Sequence, residues 1–448
     1  MDPDHLVRPL LELVDTVLGR DLRSRCLNWG GFDYDPVCMF SVLVFGLMRG
    51  VRSGRRLEEA CRYDVRYHYL SGHCTPKHWT FSDFVKDLGG GQELERLALV
   101  VVEAAFGLGL VSGKNLFVDG TKIPSSASQW RKYIQEMAAN DSLESDVDEP
   151  ATGEGPCEGP VHHSKSKGPK AKGKKPKAAR QVKPCSDPEA RTMAGPHKAM
   201  LVGYNMQLAV DSGGIVLGAV ATNECNDSKV LGQVLEAVKT QSGVVPKRVI
   251  ADKGYDSADN HAALSDIGAT SFICPRSGVS PFKPDEHGTL RCLAGHEPTT
   301  IQTRKRGVEY TVLRVNCCRG CVLAEACGKT GAGHQREYNV RDESHLSAKI
   351  QNAERYQRAK GVGAARNQIV EHANARLKRD FSLKRLLTKG LKGAQTELLL
   401  ACIAMNLMTI LKAQMEVLAA VLGGFWRFLA LAERTQWQKP QAIAIVLY

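Results

Sequence analysis

Two short apolar runs, Leu116-Phe117-Val118 and Val249-Ile250-Ala251, each end in an aspartate with glycine one or two residues on. Runs this brief, closed by a polar exit, predict buried strands rather than helices. The pattern around them is consistent with a sheet. Strands are expected at 201–210 and 215–222, separated by the hairpin signal Asp211-Ser212-Gly213-Gly214. A helix is expected over Asp227–Lys239 with Asp227 as its cap, then a helix at 257–267 and a strand at 270–274. Strand, hairpin, helix, strand, helix and strand in that order give an α/β fold, a mixed sheet with flanking helices.

The rest of the chain divides by composition. Residues 1–114 read as a helical domain: Leu6, Leu10, Leu13, Val14 and Val17 recur at helical spacing, 37–48 is an apolar run too long for a strand, and Ser53 opens a third helix. The α/β core occupies 115–139 and 187–274, interrupted at 140–186 by Pro, Gly, Ser, Lys and Glu, a composition that predicts a disordered insert. A Cys-rich module follows at 275–335, a helical completion of the core at 336–415, and a tail at 416–448. With 43% apolar and 24% charged residues the chain is neither wholly disordered nor collagen-like. The apolar stretches 97–111 and 417–431 are broken by Glu103 and Arg427, and Met-Asp-Pro-Asp-His lacks the features of a secretory leader. A cytoplasmic protein without a membrane span is expected, its 14 cysteines reduced.

The net charge is +12. Within the insert, seven acidic residues at 141–158 nearly balance nine basic ones at 162–183. The surplus therefore lies elsewhere, most densely at 376–392, where Arg376, Lys378, Arg379, Lys384, Arg385, Lys389 and Lys392 face Asp380 alone. Such a segment suits phosphate binding, or it is simply a solvated helix face. Arg49, Arg52, Arg55 and Arg56 form a second cationic group that could contact DNA phosphates.

A carboxylate at the end of a buried strand is exposed yet rigidly held, which suits metal binding. Asp119 and Asp252 form such a pair and need a third ligand. In the helical segment 366–378, Ile369, Val370, Ala373 and Leu377 share one face, leaving Glu371, Asn374, Ala375 and Lys378 opposite. Glu371 is the candidate. Arg366 falls about 140° away from it at helical spacing, a poor position for a partner.

These residues resemble a family. Val118-Asp119-Gly120-Thr121-Lys122, Gly203-Tyr204-Asn205 through Val210-Asp211, Asn226-Asp227, Ala251-Asp252-Lys253-Gly254-Tyr255-Asp256, and Ile369-Val370-Glu371-His372 with Lys378 look like bacterial insertion-sequence transposases of the DDE type, in the family's order across about 116–410. The resemblance implies a ribonuclease-H-like core with Asp119, Asp252 and Glu371 as the acidic triad. It also implies an N-terminal DNA-binding segment, matched around Ser53–Tyr63 and Trp79–Phe84. Where relatives carry an aromatic residue and a glycine after the Glu, this chain has Asn374 and Ala375, and the nearest counterpart of an upstream Tyr is Tyr356. Three carboxylates suit Mg²⁺ or Mn²⁺, two of which can drive in-line displacement at a phosphodiester. Lys253, Arg376 and Lys378 would steady DNA phosphates.

Between the second Asp and the Glu, Cys318-Arg-Gly-Cys321 is a C-x₂-C pair, with Cys327 beyond it and Cys292 before it. Cys292, Cys318, Cys321 and Cys327 are expected to hold a structural Zn²⁺ in a ribbon-like insert, with Cys317 or His296 as substitutes, or to be reduced buried thiols. Cys-containing inserts at this point are also found in the resembled family. The expected function is cleavage and strand transfer at the ends of an insertion sequence by a homodimer or larger assembly on DNA. The alternatives are a two-metal nuclease that never joins strands and a non-catalytic DNA-binding protein.

Overall fold

A computed structural model describes residues 5–26, 34–89, 92–127, 132–136, 180–184, 186–195, 200–275, 282–285, 289–305, 308–318, 320–327, 336–340, 346–359 and 361–434. The N-terminal region is helical: α1 (Val7–Cys26), α2 (Pro36–Arg49), α3 (Gly54–Tyr63), α4 (Val65–Leu70), α5 (His78–Gly89) and α6 (Glu93–Gly107). The 37–48 run is a helix because its ends are specified. The Asp35 carboxylate accepts from the Val37 amide, Pro36 occupies the first turn, and Gly50 closes the helix at φ 72°. Its apolar residues are buried nearly all round.

The sheet is built from β1 (Asn115–Pro124), β4 (Arg191–Ala194), β5 (Met200–Asp211), β6 (Val216–Thr222), β7 (Arg248–Ala251) and β8 (Thr270–Ile273). A separate hairpin pairs β2 (Lys132–Glu136) with β3 (Arg180–Pro184). Across the main sheet the order is β6–β5–β1–β7–β8, with β4 also pairing β5. The first three run antiparallel, whereas β7 and β8 continue parallel to β1. Helices α7 (Leu231–Ser242) and α8 (Ala258–Asp266) connect the later strands. A mixed sheet of this order with flanking helices fits a ribonuclease-H-like domain. Most of the expected 140–186 insert lies outside the described residues, but its end, 180–184, is strand β3 rather than disordered chain.

After the core come β9 (Phe282–Pro284), β10 (Leu290–Cys292), β11 (Thr299–Lys305), β12 (Val308–Val315), β13 (Arg336–Val340) and α9 (Leu346–Arg358). The three-stranded sheet β11–β12–β13 carries the small module to Val340. Phe282, Leu313, Val315 and Ile350 form its own apolar cluster, against which Cys292 and Cys318 pack.

An interrupted helix follows, α10 (Val362–Arg366), a π-helical turn (Asn367–Glu371) and α11 (His372–Arg379), and then the long α12 (Gly390–Arg434). Helix α12 therefore runs well past 415, where a tail was expected. Its stretch Gly390–Val417 is long and apolar enough to cross a membrane by length and composition, yet it is mostly buried inside the protein. What it covers is the open edge of the sheet. Asn406 accepts from the Val216 amide at 2.9 Å and donates to its carbonyl at 2.8 Å, and Gln395 does the same for the Ala221 amide and Ala219 carbonyl. Side-chain amides thus satisfy backbone groups that an edge strand would otherwise leave bare. One apolar core runs from the N-terminal helices through the sheet to α12.

Arg52 joins the two regions. Its Nη1 donates to the carbonyls of Ser382 and Arg385 at 2.7 and 2.8 Å, and its Nη2 pairs with the Glu397 carboxylate on α12. Glu397 also accepts from the amides of Leu387 and Thr388. Only 10% and 11% of the two side chains is exposed. Arg52 is therefore an internal strap, not part of a DNA-facing cationic group. Removing one member leaves the other charge buried and unpaired, at a cost of about 3–5 kcal/mol. Arg52→Ala should lower the urea midpoint accordingly. Arg52→Lys should restore little, since an ammonium cannot fork between two carbonyls and a carboxylate.

Candidate active site

Strand β1 pairs with β7 in the register Val118↔Ala251, which sets Asp119 beside Asp252. Asp252 follows the end of β7, whereas β1 does not exit at Asp119 as expected but runs on to Pro124 against β5. Asp252 caps the turn that follows, its carboxylate accepting from the Lys253 amide. Burial is the main influence on Asp119 and pushes its carboxyl up to about 6. The nearby Arg366 guanidinium and the Gly120 amide pull it back, while the negative charges of Asp252 and Asp227 push it further up.

Asp227 was expected to cap a helix. Instead it begins a 3-10 turn (Asp227–Lys229), α7 starts four residues later, and its carboxylate turns inward. Oδ1 accepts from Asn205 Nδ2 and Gln207 Nε2, both at 2.8 Å. Gln207 is fixed from its other end by the buried Tyr255 hydroxyl, which donates to Oε1. The Asp227 carboxylate thus lies over the glycines that follow both site aspartates: a Cβ on Gly120 would stand 2.4 Å from Gln207 Nε2 and 3.0 Å from Asp227 Oδ1, and one on Gly254 3.2 Å from Asp227 Oδ2. The Asp-Gly and Asp-Lys-Gly spacings are the trace of this packing in the sequence.

Glu371 stands at the outer side, its side chain 52% exposed. It does not meet Asp119 directly. Arg366 lies between them, with Nη2 3.2 Å from Glu371 Oε1 and Nη1 3.3 Å from Asp119 Oδ1. The second contact is one of charge only, because the buried Nη1 makes no hydrogen bond. The expectation that Arg366 is badly placed for Glu371 is therefore corrected. It assumed a regular α-helix, whereas 367–371 is a π turn, and an i→i+5 turn brings residues five apart onto one face. Lys378 sits close enough to Asp119 to feel its charge, although burial is the larger influence and lowers its pKa.

Other expected residues are dispersed. Lys253, Arg55 and Arg56 are exposed. Arg376 turns to α12, where Nη1 donates to Thr409 Oγ1 at 3.3 Å, and Arg379 pairs with Asp380 at 2.6 Å. Arg385 is bound to the carbonyls of Ser125, Ser126 and Ala127, so part of the basic 376–392 segment braces the fold. Among the described residues no three His, Cys, Asp or Glu side chains come together as a metal group. This covers Cys292, Cys318, Cys321 and Cys327, which are not assembled as the expected zinc site. Cys292 and Cys318 lie against the module's apolar cluster instead, and the Cys318 thiol donates to the Val315 carbonyl at 3.3 Å. It equally covers Asp119, Asp252 and Glu371: two are neighbours, and the third is held off by a guanidinium.

The donors around Asp119 are hard oxygens, and a cation already occupies the gap between two of the carboxylates, which is the environment a divalent ion requires.

The mixed sheet thus sets two carboxylates side by side, Asp119 within β1 and Asp252 just past β7. The family described as Transposase DDE domain matches residues 162–407, more than half of the chain, and the family described as Transposase domain (DUF772) matches residues 1–87. The chain belongs to the DDE transposase family, enzymes of transposition that cleave DNA and transfer strands and that generally use a divalent metal such as Mg²⁺. No curated protein matches it. The DDE match contains Asp252 and Glu371, whereas Asp119 lies between the two matched segments and is set beside Asp252 by the sheet register.

Gly120→Ala tests the packing beneath the site. Gln207 is fully buried and held at both ends of its amide, so it cannot yield to a new Cβ. The substitution should cost about 1–3 kcal/mol, read as a lower denaturation midpoint.

Proposed function

We propose that Asp119, Asp252 and Glu371 are the catalytic carboxylates through which this transposase cuts and joins DNA at the ends of its element. Asp119 and Asp252 would hold Mg²⁺ or Mn²⁺ on the rigid sheet, one from within β1 and one from just past β7, and Glu371 would complete the set from the helix. A bound divalent pair supplies Lewis-acid stabilisation of the attacking and leaving oxygens in an in-line displacement. The chain's own groups do the rest. Arg366 keeps Glu371 and Asp119 from repelling each other before loading and is the group that must move aside. Lys378 and Lys253 would orient phosphates beside the carboxylates, Lys378 from a half-buried position and Lys253 from the rim. Arg379 of α11 and Arg55 and Arg56 of α3, with the other N-terminal helices, would extend the DNA contact, with two or more copies assembled at the element ends. The observation that carries this reading is the register that sets Asp119 beside Asp252.

Cleavage and strand transfer on a labelled element end test it. Asp119→Ala, Asp252→Ala and Glu371→Ala should each lower cleavage by at least about a thousandfold, equivalent to about 4 kcal/mol of barrier, while DNA retention in a gel shift stays near that of the unsubstituted protein. Full cleavage by the Glu371 variant would show that a different group completes the site. Nicking without joining by the unsubstituted protein would favour a plain nuclease.

A further inference from the structure

Asn374 lies three residues beyond Glu371 on α11, where it is only 8% exposed. Its Nδ2 donates to Asp119 Oδ2 at 3.1 Å. Its Oδ1 is buried and has no hydrogen-bond partner. A buried acceptor left unpaired costs about 1–3 kcal/mol, and nearly all such atoms in folded proteins are paired. Turning the amide over brings no relief. Oδ1 would then face a carboxylate oxygen, acceptor against acceptor, and the nitrogen would become the orphan. The buried neighbours along the helix, Val370, Ala373 and Leu377, carry no side-chain donor.

Nitrogen and oxygen share one planar carbon, so Oδ1 stands within a few ångströms of the Asp119 carboxylate. On the other side of that carboxylate lies a second unsatisfied atom, the buried Arg366 Nη1. An unpaired acceptor and a loosely placed cation thus flank one carboxylate. Amide carbonyls are good ligands for hard divalent ions, to which they add an oxygen without adding charge.

We infer that Asn374 Oδ1 is a ligand of the divalent cation held by Asp119, a neutral fourth donor beside the three carboxylates. The inference rests on the proposed cation site. Glu371 and Asn374, three apart on one helix face, would close on the ion together.

The test is Mn²⁺ binding to the full chain without DNA, read from the spin-resonance signal of free Mn²⁺, beside the thermal unfolding of each variant. Asn374→Ala should weaken Mn²⁺ binding by at least about tenfold. Asn374→Asp should bind Mn²⁺ at least as tightly as the unsubstituted protein, because it supplies an oxygen although it loses the N–H donor to Asp119. Unchanged Mn²⁺ affinity in the Ala variant, with only a lowered unfolding temperature, would overturn the inference. So would an Asp variant that binds Mn²⁺ no better than the Ala variant, since donation to Asp119 would then be the residue's whole role. If the Ala variant does not fold, the Asp variant is read against the unsubstituted protein: affinity at least equal supports the inference, and affinity weakened by about tenfold or more overturns it. Asp119→Ala is the reference: should it keep full Mn²⁺ affinity, the cation site itself is misassigned, whatever Asn374 does.

Discussion

Like charges crowded on two adjacent parallel strands, one within β1 and one just past the end of β7, are the constraint to which the surrounding structure answers. The register of β1 on β7 puts Asp119 beside Asp252, and the Asp227 carboxylate approaches the same place from below. Burial makes the negative charge of Asp119 harder to keep. The compensation is local: a guanidinium on Asp119, two side-chain amides on Asp227, and a backbone amide on Asp252. Such a cluster has a cost in a protein without bound metal, and a divalent ion is the partner whose charge and size suit it.

The helix that carries Glu371 is shaped for the same purpose. A regular α-helix would turn Arg366 away from Glu371, whereas the π turn lets Arg366 reach both Glu371 and Asp119. Arg366 thereby balances the carboxylates and also keeps them apart. Glu371 is half-exposed where it makes that contact, and in the proposed site its approach to the two aspartates would require Arg366 to depart. A π turn at this point is a natural hinge, since its hydrogen bonding can tighten to the α form with a small change of register.

How much of this was legible in the sequence depends on the range of each interaction. The buried strands were legible because a short apolar run closed by aspartate and glycine is a local pattern, and the sheet followed from the succession of such patterns. The exit at Asp119 was not, because pairing with β5 carries β1 on to Pro124. Helical periodicity together with the family resemblance singled out Glu371, which the structure sets against Arg366 rather than against the aspartates. Arg366 could not, because its pairing depends on a local departure from 3.6 residues per turn. Asp227 read as an ordinary helix cap, and nothing nearby in the chain signals that Asn205 and Gln207 claim its carboxylate from another strand. The basic residues misled in a similar way. Arg52, Arg376 and Arg385 looked available for phosphates, yet each is bound within the fold by groups distant in sequence. The cysteine spacing suggested a metal, but the small module has an apolar cluster of its own.

The central claim is that Arg366 keeps the place of a divalent ion among these carboxylates. Anomalous diffraction from crystals soaked in Mn²⁺ addresses it most directly. The expected result is a peak beside both Asp119 and Asp252, with the Arg366 guanidinium withdrawn and Glu371 drawn in. A peak remote from the two aspartates, or one beside them with Arg366 still bridging Asp119 and Glu371, would contradict it.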